Sequence, residues 1–220
     1  FQTTLLTALG IAVLSLLISY PFAWFLVRTS SRWRTVLFWA VFLPIYVSVI
    51  MRVFGWTVLM SDSGSFNQMV LHLGLTEQPI RMMNELTGMI VGLLHRYLPL
   101  VIIPLYMSMQ KIEDGMLRAS ASLGANKTRS WLTVIVPLSL PGAVAGIQLV
   151  FAAVFSDYVI PNLMGTTRYQ LIAPAIYYEA TTNARWALAG AMAMIVIAVV
   201  ALFLVGMNYI LRRVAPWASM

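Results

Sequence analysis

Four ionisable residues lie inside or against long apolar runs of this 220-residue chain, and any chemistry would have to start from them. They are Arg52 in VIMRVFGW, the adjacent His95 and Arg96 in GLLHRYLP, and Asp157 in FSDYVIP. A charge in an apolar run is costly, so by default it marks a cavity, a pathway or an ion pair. Asp157, together with Tyr46, Tyr97 and Tyr158, offers a carboxylate and aromatic faces, a set able to hold a cation. The plainer reading is that Asp157 caps or pairs within its own loop and that the tyrosines belong to an interfacial aromatic belt. Arg52 stands one or two helical turns from the outer end of its run. There it either snorkels to the interface or lines a cavity or subunit contact. For Arg96 and His95, deeper in their run, an internal ion pair or a hydrogen-bonded cavity wall is expected.

These residues do not assemble a catalyst. No His or Asp within the runs falls at a one-face spacing with another His, Asp or Ser, the serine pair Ser15 and Ser19 has no base beside it, and there is no cysteine for a disulfide or thiolate site. No cluster has metal-ligand spacing, and no glycine loop is built to cradle phosphate. Neither a catalytic residue nor a metal is therefore assigned, and ATP hydrolysis is not expected of this chain.

The elements that hold those residues are membrane spans. Hydrophobic residues make up 60% of the chain and charged ones only 10%, far below the roughly 25% of soluble domains. The net charge of +7 is scattered between apolar runs rather than gathered in a patch, so it does not imply nucleic acid. Residues 1–27, 132–156 and 186–211 carry no charge, 35–61 carry only Arg52, and 86–110 only Arg96. About 20 apolar residues cross a bilayer as a helix. The runs predict five transmembrane helices near 3–27, 36–60, 86–109, 136–156 and 186–211. Pro44, Pro99 and Pro104 are expected to interrupt spans, and Pro137 with Pro141 to delay or break the fourth helix. The first run is too long for a signal peptide and lacks its basic start. No internal repeat or low-complexity tract is found.

Lys and Arg orient these helices. Arg28, Arg32, Arg34, Lys111, Arg118, Lys127, Arg129, Arg212 and Arg213 fall on one side, which is read as cytoplasmic. The other side holds Arg81, Arg168 and Arg185 among Asp62, Glu77, Glu85, Asp157 and Glu179. The C-terminus is expected in the cytoplasm and the N-terminus outside. A chain that starts outside at Phe1, with no initiator Met, predicts a further helix ahead of it. Residues 1–220 are read as one transmembrane domain, and 110–132 as a cytoplasmic loop between the third and fourth spans.

That loop contains RASASLGANKTRSW, in which six of the seven residues from Ala119 to Ala125 are small. Small side chains let another backbone or a rigid groove approach, and Gly124 permits the sharp turn that ends a short helix. Glu113 and Asp114 suit a helix start, Lys127 and Arg129 its end. A short helix over about 113–124 is predicted, either as a docking element or as a well-capped connector.

The loop resembles the cytoplasmic signature of ABC-importer permease subunits, Glu-Ala-Ala, three residues, Gly, nine residues, Ile-x-Leu-Pro. Here it reads Arg118-Ala119-Ser120, then Ala121, Ser122 and Leu123, then Gly124, with Val134, Val136 and Pro137 at the matching distance. Arginine replaces the glutamate. SYPFAWFLVR at 19–28, LPIYVSVIMRVFGW at 43–56, GLLHRYLPLVIIPLYMSM at 92–109 and FSDYVIPNLMG at 155–165 are similar to the spermidine/putrescine class of that family. The resemblance implies an all-α, polytopic helix bundle of the type I ABC-importer kind with six helices, five of them in this chain. It implies a multi-pass protein of the bacterial inner membrane, working with two ATP-binding subunits, a second and different permease subunit and an extracytoplasmic binding protein. ATP and Mg would be bound by the ATPase partners, with no cofactor in this chain. Residues 118–124 and Pro137 would form the coupling contact with an ATPase. Tyr46, Arg52, Tyr97, Asp157 and Tyr158 would border the path of a polyamine. Other small organic solutes or ferric iron are alternatives within the family, and an ion-coupled secondary transporter is the rival from another class.

Overall fold

The computed structural model describes residues 1–83, 85–165 and 169–216; Arg168, counted above among the outer-side charges, lies outside them. Every regular element among the described residues is helical. The helices are α1 (Gln2–Arg28), α2 (Ser31–Tyr46), α3 (Val49–Met60), α4 (Ser65–His72), α5 (Leu86–Met109) and α6 (Asp114–Ser122). After them come α7 (Lys127–Ser130), a π-turn over Trp131–Ile135, α8 (Val136–Phe155), α9 (Val159–Met164), α10 (Ile172–Thr181) and α11 (Trp186–Val214). Among the described residues four helices are long and apolar enough to cross a membrane: α1, α5, the continuous run Lys127–Phe155, and α11. The 24 residues of α5 rise about 36 Å, enough for a hydrocarbon core about 30 Å thick.

The second predicted span is not one helix. Between α2 and α3 the chain bends by 102°, and only as a bent pair does it make a fifth span. Pro44 cannot donate to the preceding turn, and the Val47 N–H reaches back only three residues, to the Pro44 carbonyl, at 3.2 Å. Val47 and Ser48 then take extended ψ angles of 134°. The other prolines behave differently from expectation. Pro99 and Pro104 lie inside an unbroken α5. Pro141 lies inside α8, and Pro137 is its second residue, directly after a π-turn. Upstream, the π-turn shifts the hydrogen-bond register, with the Val136 N–H bonded to the Trp131 carbonyl. Helix therefore begins at Lys127, inside the segment read as loop.

The centre of the molecule is a three-helix core of α1, α5 and α8. Lipid is as apolar as a leucine side chain, so helices in a membrane associate by close packing rather than by hydrophobic expulsion. Gly142 and Gly146, one turn apart on α8, permit that packing. A Cβ on Gly142 would lie 2.6 Å from Ser108 Cβ and nearer still to the Pro104 carbonyl oxygen. One on Gly146 would lie 2.9 Å from Val101 Cγ1. Ile11, Leu93 and Phe151 fill one buried cluster, and Leu26, Leu105 and Met109 another. The outer helices pack lightly. No residue of α2 is buried, and of α11 only Ala189. The link from α11 to α8 is a stack of Phe203 on Phe151 at 3.8 Å, together with Gln148 Nε2 donating to the Leu204 carbonyl and Asn208 Oδ1.

Candidate functional site

The first candidate site is α6 with its turn. Glu113 is the N-cap residue and Asp114 occupies the first turn, where negative charge complements the helix dipole. The helix ends in a paired-bond cap. The Gly124 N–H reaches the Ala121 carbonyl at 2.9 Å, and the Ala125 N–H reaches the Ser120 carbonyl at 3.1 Å. This closure needs a left-handed residue, and Gly124 has φ +81°. Asn126 then caps α7, its Oδ1 accepting from the Arg129 N–H at 2.8 Å.

Packing of Leu117 against the second buried cluster and two polar contacts fix α6 to the bundle. Arg28 Nη1 donates to Asp114 Oδ1 at 2.8 Å, and the Arg28 guanidinium also lies 4.5 Å from the Trp24 ring centroid. The Ser120 and Ser130 hydroxyls meet at 2.7 Å. Ser120 is half-buried in this contact, whereas Arg118, Ala119, Ala121, Ser122, Leu123 and Gly124 are exposed, Leu123 at 88%. Pro137 stands apart from these residues, half-buried in α8.

The second site gathers three of the five residues proposed for a path. Tyr97 on α5 and Asp157, between α8 and α9, are both buried. The Tyr97 hydroxyl donates to Asp157 Oδ2 at 2.9 Å. Asp157 Oδ1 accepts from the Val159 N–H at 2.9 Å, capping α9, and stands 3.7 Å from Arg96 Nη1. The Asp157 carboxylate thus has the partners that the capping-and-pairing reading requires. Arg52, on α3, shares a small cavity with Trp56, Gly92, His95 and Arg96. The His95 ring meets the edge of Trp56 at 5.4 Å.

Tyr46 and Tyr158 stand apart from this cluster. Tyr46 ends α2 and is 80% exposed. Tyr158 packs on the Tyr177 ring at 4.4 Å. The sequence reading missed the Gly142–Gly146 contact, although two glycines four apart in an apolar run are a readable packing signal. The internal ion pair expected of Arg96 is present, but local sequence does not reveal that Asp157 is its partner.

The bundle has the architecture of an ABC-importer permease. It superposes with a TM-score of 0.77 on a chain of a bacterial ABC transporter that imports the acidic polysaccharide alginate, covering 97% of this chain and 79% of that one at 18% identity. No family model matches the sequence. Individual relatives do. The chain is 33% identical over 195 residues to the spermidine/putrescine transport system permease protein PotB of Salmonella typhimurium, covering 88% of this chain and 68% of that protein. It is 31% identical over 204 residues to the protein of the same name from Escherichia coli, covering 91% and 74%. The chain belongs to the spermidine/putrescine permease family of ABC importers, and is a multi-pass inner-membrane protein.

Proposed function

We propose that this chain forms one half of the membrane path of an ATP-driven polyamine importer, with α6 as the helix through which an ATPase subunit moves it. The observation that carries the reading is the likeness to spermidine/putrescine permeases over most of the chain. The exposed, glycine-terminated α6 supports it. Two ATP-binding subunits hold ATP and Mg, an extracytoplasmic binding protein delivers the solute, and a second, different permease completes the path. The C-terminus and the loop carrying α6 face the cytoplasm, where Arg118 to Gly124 meet the ATPase. Closure of the ATPase pair displaces α6 as a rigid body and biases the permease pair between two packings.

The test is uptake of labelled spermidine by proteoliposomes holding the permease pair, its ATPase and its binding protein. ATP-dependent uptake that Ala121→Trp abolishes, with the complex still assembled, is expected. Uptake that follows an ion gradient and ignores ATP would overturn the reading, and normal uptake by Ala121→Trp would overturn the role of α6.

A further inference from the structure

Arg52, in an apolar stretch of α3, has no counter-charge among the described residues. All seven carboxylates of the sequence lie among the described residues. Three of them form ion pairs, Asp114 with Arg28, Asp157 with Arg96 and Glu179 with Arg185, and none pairs with Arg52. Arg52 Nε is buried and has no hydrogen-bond partner among the described residues. The neighbouring Arg96 Nη1 is also without a hydrogen bond, its contact with Asp157 being an ion pair at 3.7 Å. Two guanidinium groups therefore share one cavity wall beside a single carboxylate.

A surplus cation at this depth is costly until an anion meets it. Three sources could provide one. A lipid phosphate lies at the interface, whereas Arg52 Nε is buried beside Gly92 and His95 of α5, two turns from the end of α3. A cationic solute brings no anion. A protein partner remains, and the adjoining surface of α3 suits one, since Ile50, Met51, Phe54 and Val58 are all exposed. We propose that Arg52 receives a carboxylate from the second permease subunit, and that this ion pair is a fixed point of the contact between the two permeases. The inference rests on the paired-permease reading above. It explains how an importer of a polycation tolerates an arginine pair inside its membrane domain, because the partner's carboxylate neutralises the surplus. An arginine suits the role, since its planar fork binds a carboxylate at two points where lysine offers one.

The experiment uses the whole importer, with this chain tagged and its partners co-expressed. Arg52→Gln should lower recovery of the second permease on the tag at least fivefold, and Arg52→Lys should keep most of it. Because Arg52→Gln could impair folding of the chain itself, a charge exchange is made as well. Arg52→Glu is combined in turn with Asp→Lys or Glu→Lys changes in the partner's membrane segments, and one combination should restore recovery. Unchanged recovery with Arg52→Gln, or no restoring combination, overturns the proposal. So does full recovery with spermidine uptake lost, which places Arg52 on the solute path. Recovery that depends on anionic lipid in nanodiscs rather than on a partner carboxylate assigns Arg52 to a headgroup and also overturns it. If the complex imports no polyamine but Arg52 still governs recovery, the solute reading fails and this inference stands.

Discussion

Asp157→Asn separates a structural carboxylate from a solute-binding one, because the side chain keeps its size and loses only its charge and half its acceptors. Both carboxylate oxygens are in use, Oδ2 by the Tyr97 hydroxyl and Oδ1 by the Val159 N–H and Arg96. The amide nitrogen of asparagine must face one of those donors. That loses a buried hydrogen bond and sets donor against donor, at about 1–3 kcal/mol. The change also leaves Arg96 without its counter-ion. Removing one member of a buried pair costs about 3–5 kcal/mol. Here the figure falls to about 1–2 kcal/mol, because the Arg96 side chain is 26% exposed and the pair is 3.7 Å apart. Together the expected loss is about 3 kcal/mol, or roughly 6–12 °C in Tm for a chain of this length.

The assay is thermal unfolding of the purified complex, alongside ATP-driven spermidine uptake per folded molecule. Arg96→Gln combined with Asp157→Asn should cost about 1–2 kcal/mol less than the sum of the single changes, since the second removes a cation already stranded by the first. Uptake per folded molecule should survive. The reasoning is refuted if Asp157→Asn leaves Tm unchanged while uptake disappears, which would make Asp157 a solute contact.

Three further outcomes follow from the same geometry. Gly142→Ala should destabilise the bundle by about 1–2 kcal/mol, with overpacking against the backbone of α5 exceeding the gain in helix propensity. Gly206→Ala, where an added Cβ meets nothing within 4 Å, should be neutral or stabilising, so equal Tm shifts for the two would refute the packing role. Gly124→Val should cost about 1–2 kcal/mol through its positive φ alone, since open space surrounds it. The damage should appear as faster hydrogen exchange confined to residues 120–126. Asp114→Ala should shift stability by less than about 1 kcal/mol, because the pair with Arg28 is exposed, and yet reduce spermidine uptake severalfold by freeing α6. Unchanged uptake would deny the pair any part in coupling.

What the sequence reveals depends on how local the deciding physics is. The spans at α1, α5 and α11 are legible from gaps between charges, and α6 from Glu113, Asp114 and Gly124, because each of these signals acts within a turn or two. The bend after Pro44 is not legible from proline alone, since Pro99 and Pro104 look equivalent and lie in an unbroken helix. The difference is support. α5 is gripped between α1 and α8, whereas α2 buries no side chain fully and rests on the bundle through half-buried Leu37 and Phe38, well before Pro44. The partner of Asp157 is illegible for a related reason, since Arg96 lies 61 positions away and only the packing of α5 against α8 brings them together.

The same contrast in support bears on how a push at α6 would travel. α6 is tied to α1 through Arg28 and to α7 through Ser130, and α7 runs without a break through the π-turn into α8. Those routes end in the part of the molecule least able to deform, where Gly142 and Gly146 set α8 directly on the backbone of α5. A closely packed core passes displacement on rather than absorbing it. The compliant elements are α2, of which no residue is buried, and α11, of which only Ala189 is. On the proposed reading the three-helix core and α6 move as one lever. Changes of shape are then concentrated at the 102° bend between α2 and α3.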